Sequence, residues 1–301
     1  MMNRFSLTLE GYVKREDVPL ILRCLLDRIP VVIYSDDEKA ADELNSLMMR
    51  LLPNRWERVF LIDFATLKEY QQILDLETRD IDSTRPVFRA TSNTVNHIFE
   101  GFNDLRGWVV SAGGSLQSFQ KLVSYITAYN STVLTVKFLK TKETSVELIP
   151  NTQSSVFDVA FERSLLESVE AESKSSIERI KRVLKNKVYS SGVSNIFSST
   201  LLNFEAEAEG LKESLFNSQI FLFVNACRRA LYLLTRIDLV NEFNIEWFIS
   251  EKTLLNSIKY NEASASRILD FIKAEWGLDF HKYVRKGVFS ALGDIIEGLW
   301  G

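Results

Sequence analysis

Proline is missing from the second half of the chain. All five prolines of the 301 residues lie at or before Pro150. Because proline interrupts helices, its absence leaves the rest of the chain free to be almost entirely helical. Apolar residues there recur at three- and four-residue spacing, which predicts an all-helical bundle domain over 151–301. A short polar stretch at 151–155 suits a helix start, so we place the boundary of the first domain, 1–150, near residue 150.

Cysteine, histidine and long apolar runs are scarce. Cys24 and Cys227 lie in apolar helical patterns of different halves, which favours two buried thiols in a reducing cytoplasm over a disulfide. His97 and His281 share no local spacing with a cysteine, so no structural zinc site is expected. No apolar run approaches 18 residues, so we expect no membrane span. The 36 basic and 40 acidic residues are spread evenly, which excludes a polycationic nucleic-acid binder on charge alone.

The first half alternates short apolar runs with amphipathic segments. This alternation predicts an α/β domain with a mostly parallel sheet covered by helices on both faces. The predicted strands are 5–13, 29–33, 59–63, 86–89, 108–111, 132–139 and 145–149. The predicted helices include 18–28, 38–52 and 116–129. In the second half, residues 211–239 are apolar nearly all round and are predicted to form the central helix of the bundle.

Glycine is absent from the turn after the strand at 29–33, where a phosphate-binding loop would be expected. The turn carries three carboxylates in a row, Asp36, Asp37 and Glu38. Aligning it with a phosphate loop leaves Lys39 as the sole surviving phosphate contact. Ser35 and Glu38 instead have the spacing of a helix capping box. The pattern therefore predicts a strand and helix of nucleotide-binding type without the usual phosphate site.

Two further positions could belong to a nucleotide site. Asp63 follows an apolar strand, as a magnesium-positioning aspartate does, although such an acid is more often a helix cap. Gly113 and Gly114 form a strand-to-helix turn before Ser115, where backbone amides could approach a phosphate. A tight turn would use the same two glycines.

Nucleic acid is an alternative ligand class for one helix of the second half. Its cations project away from an apolar face and could lie along a phosphate backbone. A solvated helix face would look the same. The candidate contacts are Arg179, Lys181, Arg182 and Lys185. A helix-turn-helix over 252–276, with Arg267 on its reading helix, is less favoured than ordinary bundle packing.

The last residues of the chain form a short amphipathic pattern rich in residues used at interfaces. It could dock into another subunit, or close the chain's own bundle. The candidate partner-binding residues are Phe289, Leu292, Ile296 and Trp300.

The first half resembles the RecA-like fold of P-loop ATPases, and most of all the core of the type II and type IV secretion and pilus ATPases. The likeness lies in the pattern of residues 20–52, 59–63 and 108–138. The chain departs from the family in two places. It lacks the glycines and the Ser/Thr of the phosphate loop, and it has Ser111 at the end of a later strand, where an acidic residue could stand. The resemblance therefore implies this fold without hydrolysis.

Together these patterns predict a degenerate P-loop NTPase-like protein, a pseudo-ATPase that serves as a scaffold or regulatory component through protein–protein interaction and binds no cofactor. Its partner would be another protein, such as an active ATPase, or a second copy of itself. One alternative is an ATPase or GTPase that uses Lys39, Asp63, Gly113 and Gly114 with ATP or GTP and magnesium. Another is a nucleic-acid-binding regulator.

Overall fold

A computed structural model describes residues 9, 11–60, 84–97, 105–129, 132–139, 143–149, 157–191 and 195–285, with the backbone alone at 180–181 and 183–209. The larger strands are β1 (Val31–Ser35), β2 (Glu57–Val59), β3 (Val87–Ala90), β4 (Trp108–Ser111), β5 (Val133–Phe138) and β6 (Thr144–Ile149). The helices among them are α1 (Val18–Leu26), α2 (Glu38–Met49) and α3 (Leu116–Ala128).

The six strands form one mostly parallel sheet in the order β2-β3-β4-β1-β5-β6. Neighbours from β2 to β5 are parallel, and β6 runs antiparallel to β5 at the edge. β1 is central because Val31, Val32 and Ile33 are fully buried on both faces, as a continuous apolar run requires.

Helices cover both faces of the sheet. Ala41, Leu44 and Met48 of α2 pack in the same core cluster as Val31 and Ile33 of β1. A second cluster on the other face joins Val32 of β1 to α3, through Phe119, Leu122 and Ile126. α2 and α3 therefore lie on opposite faces of the central strand.

The rest of the described chain is helical apart from one small strand pair. Its helices are α4 (Ala160–Ser191), α5 (Asn195–Glu242), α6 (Glu251–Ile258) and α7 (Ala265–Trp276). The pair, β7 (Ile249–Ser250) and β8 (Val284–Arg285), is parallel. α4 and α5 pack along each other, and α7 packs on α5. The buried side chains of this region belong to the same apolar cluster as those of α1 and α2.

The predicted architecture, a mostly parallel sheet followed by helices, is confirmed. Four details of the prediction were wrong. Residues 11–13, within the strand pattern expected at 5–13, form a turn. The strand expected to begin at residue 59 instead ends there, because β2 is Glu57–Val59.

The central helix was expected to begin at residue 211, but α5 begins at Asn195 and runs through Gly210, because a glycine in a long helix costs only about 1 kcal/mol. The N-cap of α2 is Asp37 and not Ser35, because the strand continues to Ser35.

Candidate functional site

The sheet order changes direction beside β1. After β1 the chain crosses to β2 at the far edge, returns through β3 and β4 to one side of β1, and then places β5 on the other side. In open parallel sheets, ligands bind at the carboxyl ends of the strands next to such a point. The carboxyl end of β1, at Ser35, is therefore where a ligand site is to be sought.

The turn that leaves this edge is closed by its own side chains. β1 ends at Ser35 and α2 begins at Glu38, so two residues connect them. Asp37 Oδ1 accepts hydrogen bonds from the backbone amides of Lys39 at 3.0 Å and Ala40 at 3.4 Å. Ser35 Oγ accepts from the amide of Asp37 at 3.2 Å. The amides of Lys39 and Ala40, which could hold a phosphate at a helix start, thus already have an acceptor.

The Gly113-Gly114 turn meets α2 at the same edge. The amide of Gly114 donates to the carbonyl of Ser35 at 2.8 Å, and that of Gly113 donates to Ser92 Oγ at 2.9 Å. A Cβ atom on Gly113 would lie 2.5 Å from the Cα of Glu38. The structure therefore brings Gly113 and Gly114 to the start of α2, where Gly113 allows two backbones to approach closely.

The other predicted members of a nucleotide site are less closely placed. Lys39 lies in the first turn of α2, and its side chain is exposed. Asp63 lies outside the described residues. β2, the strand that precedes Asp63 in the chain, is three strand spacings from β1, or about 14 Å.

A cluster of polar side chains that the sequence analysis missed fastens α2 to the ends of β3 and β4. Asp42 Oδ1 accepts from the amide and the hydroxyl of Ser92, both at 2.9 Å, and from the hydroxyl of Ser111. Asn45 Nδ2 donates to the carbonyl of Ala90 at 2.9 Å and to Ser111 Oγ at 3.2 Å. The available signal was Asp42 and Asn45 at three-residue spacing on one face of α2.

On the β5 side of β1 lies an open cavity of about 470 Å³. Tyr12 packs edge-on against Phe138 there, with ring centroids 5.2 Å apart. Polar side chains also line the cavity: Lys14, Ser35, Asp37 and Thr144. Burial and the neighbouring Glu43 carboxylate raise the pKa of Tyr12 to about 12. The phenol therefore stays neutral at physiological pH.

A second polar cluster is buried between α1, α4 and α7. Arg267 of α7 contacts Glu162 of α4 at 2.6 Å and Asp27, which follows α1, at 2.9 Å. Arg23 of α1 contacts Asp27 at 2.7 Å and Asp270 at 2.8 Å. These contacts join side chains that are far apart in the sequence.

Burial of this cluster shifts its titration. Burial raises the pKa of Glu162, although Arg267 and Arg23 oppose the shift. Burial alone would lower the pKa of Arg267, but the carboxylates of Asp27 and Glu162 outweigh it and raise that pKa. Arg267, considered above as a residue of a reading helix, is 4% exposed, so its side chain is not available to contact a nucleic acid.

The candidate nucleic-acid contacts lie on α4. Arg179 and Arg182 are exposed, and Arg182 forms an exposed ion pair with Glu178 at 3.6 Å. The side chains of Lys181 and Lys185 are not described. The candidate partner-binding residues at the end of the chain lie outside the described residues: Phe289, Leu292, Ile296 and Trp300.

His281 lies far along the chain from the sheet edge. It is 40% exposed and contacts Asp279 at 2.9 Å and Asp270 at 3.2 Å. Across the parts of the chain that the structure describes, no three or more His, Cys, Asp and Glu residues are grouped to hold a metal ion. No helix within those parts is long and apolar enough to cross a membrane.

Comparison of the chain with protein families, with curated proteins and with solved structures finds no match.

Proposed function

We propose that this protein is a non-catalytic assembly or regulatory component, built on a degenerate RecA-like P-loop domain, that works through contact with other protein surfaces. The observation that carries the proposal is Asp37. Its carboxylate accepts hydrogen bonds from the backbone amides of Lys39 and Ala40. It therefore occupies the position in which a phosphate would have to bind.

The length of the turn supports the same proposal. A phosphate loop places six residues, from glycine to glycine, before its lysine so that the backbone can wrap around the phosphates. Here Asp36 and Asp37 alone connect β1 to α2. The carboxylates of Asp36, Asp37 and Glu38 would also repel a nucleotide phosphate at this edge.

The RecA-like part of the proposal draws support from the parallel strands. β1, the strand that would carry the phosphate loop, is central, and the chain order reverses beside it. That arrangement is expected if the protein descends from a nucleotide-binding ancestor and has lost the phosphate loop. The sheet would then remain as a framework for contacts with other proteins.

The buried contacts between the sheet side and helix α7 favour a role as a scaffold and not as a nucleotide-driven switch. Arg55 forms an ion pair with Glu275 of α7 at 2.7 Å. Glu275 also accepts a hydrogen bond from the backbone amide of Arg85 at 2.6 Å. Both side chains of the Arg55–Glu275 pair are at most 1% exposed. Buried charges that are fixed on both sides oppose relative movement, because separating them leaves each unpaired.

Calorimetric titration with ATP and with GTP, each with magnesium, tests the proposal. We expect no heat of binding for the wild type or for Lys39→Ala. Lys252→Ala is the matched control, because Lys252 is an exposed helix lysine outside this edge. Binding that Lys39→Ala abolishes and Lys252→Ala retains would overturn the proposal in favour of an atypical nucleotide enzyme.

A second titration addresses the nucleic-acid alternative. We expect no binding to duplex DNA or RNA in low salt. Affinity that falls steeply as salt is added, and that Arg179→Glu or Arg182→Glu removes, would favour the nucleic-acid regulator instead.

A further inference from the structure

The helices α4 and α5 form an antiparallel hairpin that extends well beyond their contacts with α1 and α7. The rings of Phe161, near the start of α4, and Phe223 of α5 have centroids 4.5 Å apart. Beyond this contact α4 continues for 30 residues to Ser191, and α5 reaches back 28 residues to Asn195. Three residues, 192–194, connect the two ends. At a rise of about 1.5 Å per residue, both ends lie about 42–45 Å from the pair of rings.

The contacts of α4 with the rest of the molecule lie near its start. Glu162 pairs with Arg267 of α7 at 2.6 Å, and Glu170 pairs with Arg15, which precedes α1. Between 171 and 182, Ser173 is the one buried side chain among those that the structure describes. The exposed ones are Ala171, Glu172, Lys174, Ser175, Glu178, Arg179 and Arg182. From residue 174 on, α4 therefore leaves the packed part of the molecule.

Charge is distributed unevenly along this hairpin. Residues 179–204 contain five basic residues and no acidic one. We name 179–187 the basic band, because it contains all five: Arg179, Lys181, Arg182, Lys185 and Lys187. The other 31 basic residues and all 40 acidic residues of the chain lie outside 179–204. The hairpin therefore gives a positive end to an otherwise negative protein.

The part of the hairpin beyond the basic band is uncharged. We name it the hairpin end and define it as residues 188–191 of α4 and 195–204 of α5, none of which is charged. Half of its residues are Ser, Thr or Asn, and the other half are apolar or aromatic. The latter are Val188, Tyr189, Ile196, Phe197, Leu201, Leu202 and Phe204. The longer piece, 195–204, measures about 15 Å, half of the hydrocarbon core of a bilayer, which is about 30 Å thick.

The surface of a membrane with anionic lipids matches both features. Apolar and aromatic residues enter the boundary between headgroups and acyl chains, while lysine and arginine bind the headgroup phosphates. Lys185 and Lys187 are at most six residues from the end of α4, about 9 Å along its axis, which is about one Debye length in physiological salt. A nucleic acid would instead need cations at the contact itself, and the hairpin end has none.

We propose that the hairpin end binds the surface of a membrane that contains anionic lipids, with the basic band beside the headgroups. The contact reaches into one leaflet, because the hairpin end is too short to cross the hydrocarbon core. The negative charge of the rest of the chain is repelled by the same surface, so the hairpin meets it end-on. This lipid partner is additional to the protein surfaces proposed above.

Flotation of the full chain with vesicles tests the proposal. We expect binding in low salt to vesicles of equal parts phosphatidylcholine and phosphatidylserine, and none to phosphatidylcholine alone. Lys185→Gln combined with Lys187→Gln should lower the partition coefficient about 25-fold, because each cation beside an anionic surface contributes about fivefold. Lys121→Gln combined with Lys252→Gln is the matched control, since both are exposed helix lysines outside the hairpin. It should bind as the wild type does.

A fluorescent label locates the contact without removing an apolar side chain from the hairpin. Cys24 and Cys227 are fully buried, so a thiol added at the surface can be labelled alone. We expect an environment-sensitive dye on Ser199→Cys to shift to shorter wavelength and to brighten when the mixed vesicles are added. The same dye on Ser218→Cys, an exposed position of α5 nearer to Phe223, should not change.

Three results would overturn the proposal. One is a wild type that does not bind the mixed vesicles in low salt. Another is a bound protein in which the dye at 199 stays in water, or shifts no more than the dye at 218. The third is binding to duplex DNA but not to the vesicles, lost with Lys185→Gln and Lys187→Gln, which would assign the basic band to nucleic acid. Nucleotide binding through Lys39 would overturn the non-catalytic proposal alone.

Discussion

At the scale of single residues, Arg267 carries a full charge into the apolar core. Its guanidinium lies 5.0 Å from the ring centroid of Phe223 and is held by Asp27 and Glu162. We expect Arg267→Met to lower the free energy of unfolding by about 3–5 kcal/mol, because it leaves two buried carboxylates without this partner. Urea denaturation followed by circular dichroism measures the change.

Glu162→Gln should cost less than Arg267→Met. A raised pKa means that the folded state holds the Glu162 proton more tightly than the unfolded state, so ionisation of this carboxyl opposes folding as the pH rises from its ordinary value through the raised one. Removing the charge relieves that cost at neutral pH. Arg182→Met, in an exposed pair, is the control and should change the unfolding free energy by less than about 1 kcal/mol. Equal effects for all three variants would contradict this account.

The two cysteines give a second prediction at this scale. Cys24 and Cys227 are fully buried, and burial raises the pKa of both thiols. We expect neither to react with a thiol reagent in the native protein, because the reactive thiolate is absent and the sulfur is inaccessible. In denaturant both should react at once. Fast labelling of one thiol under native conditions would show that its surroundings open locally.

At the scale of elements, Gly113 lets α2 approach the turn between β4 and α3. We expect Gly113→Ala to destabilise the protein by about 1–3 kcal/mol, because the new Cβ would overlap the backbone of Glu38. Gly114→Ala is the matched control. Its Cβ meets open space, so only the strain of its φ of +74° remains, about 1 kcal/mol. Thermal unfolding of both variants tests the order.

Elements with strong local signals could be predicted from the sequence. β4 was predicted at its observed bounds, and α3 within one residue, because an apolar strand and a serine-capped helix are encoded locally. The start expected for the central helix, residue 211, was wrong because tertiary packing and helix length outweigh the single glycine at position 210. The pair β7–β8 was missed because its strands are two residues long and depend on distant pairing.

The candidate site was predicted in part. The missing phosphate loop and the carboxylates before α2 are local facts, and the structure adds that Asp37 itself caps the helix. The contacts of Asp42 with Ser92 and Ser111 could not be predicted, since they join residues 50 and 69 positions apart. The buried pairs of Arg267 are more distant still. Each of these contacts depends on the finished fold, and no local pattern in the sequence identifies the two residues that meet.

At the scale of the whole molecule, the sheet and the helices share one apolar core. Side chains of α1, α2 and β1 belong to the same buried cluster as those of α4, α5 and α7. Arg55, whose guanidinium also donates to the carbonyl of Leu26 at 2.8 Å, ties the sheet side to Glu275. Neither half can therefore lose its partner without exposing apolar surface and separating buried charges.

We therefore expect the full chain to unfold in a single cooperative transition. Differential scanning calorimetry should give a calorimetric enthalpy equal to the van't Hoff enthalpy. Arg55→Met should lower the midpoint and broaden the transition, because it leaves Glu275 buried without its cation. Lys273→Met, which removes an exposed pair from the same helix α7, is the control and should change little. Two separate transitions in the wild type would contradict the shared core. They would mean that the contacts between the sheet and the helices stabilise the protein less than the contacts within the sheet side or within the helical side.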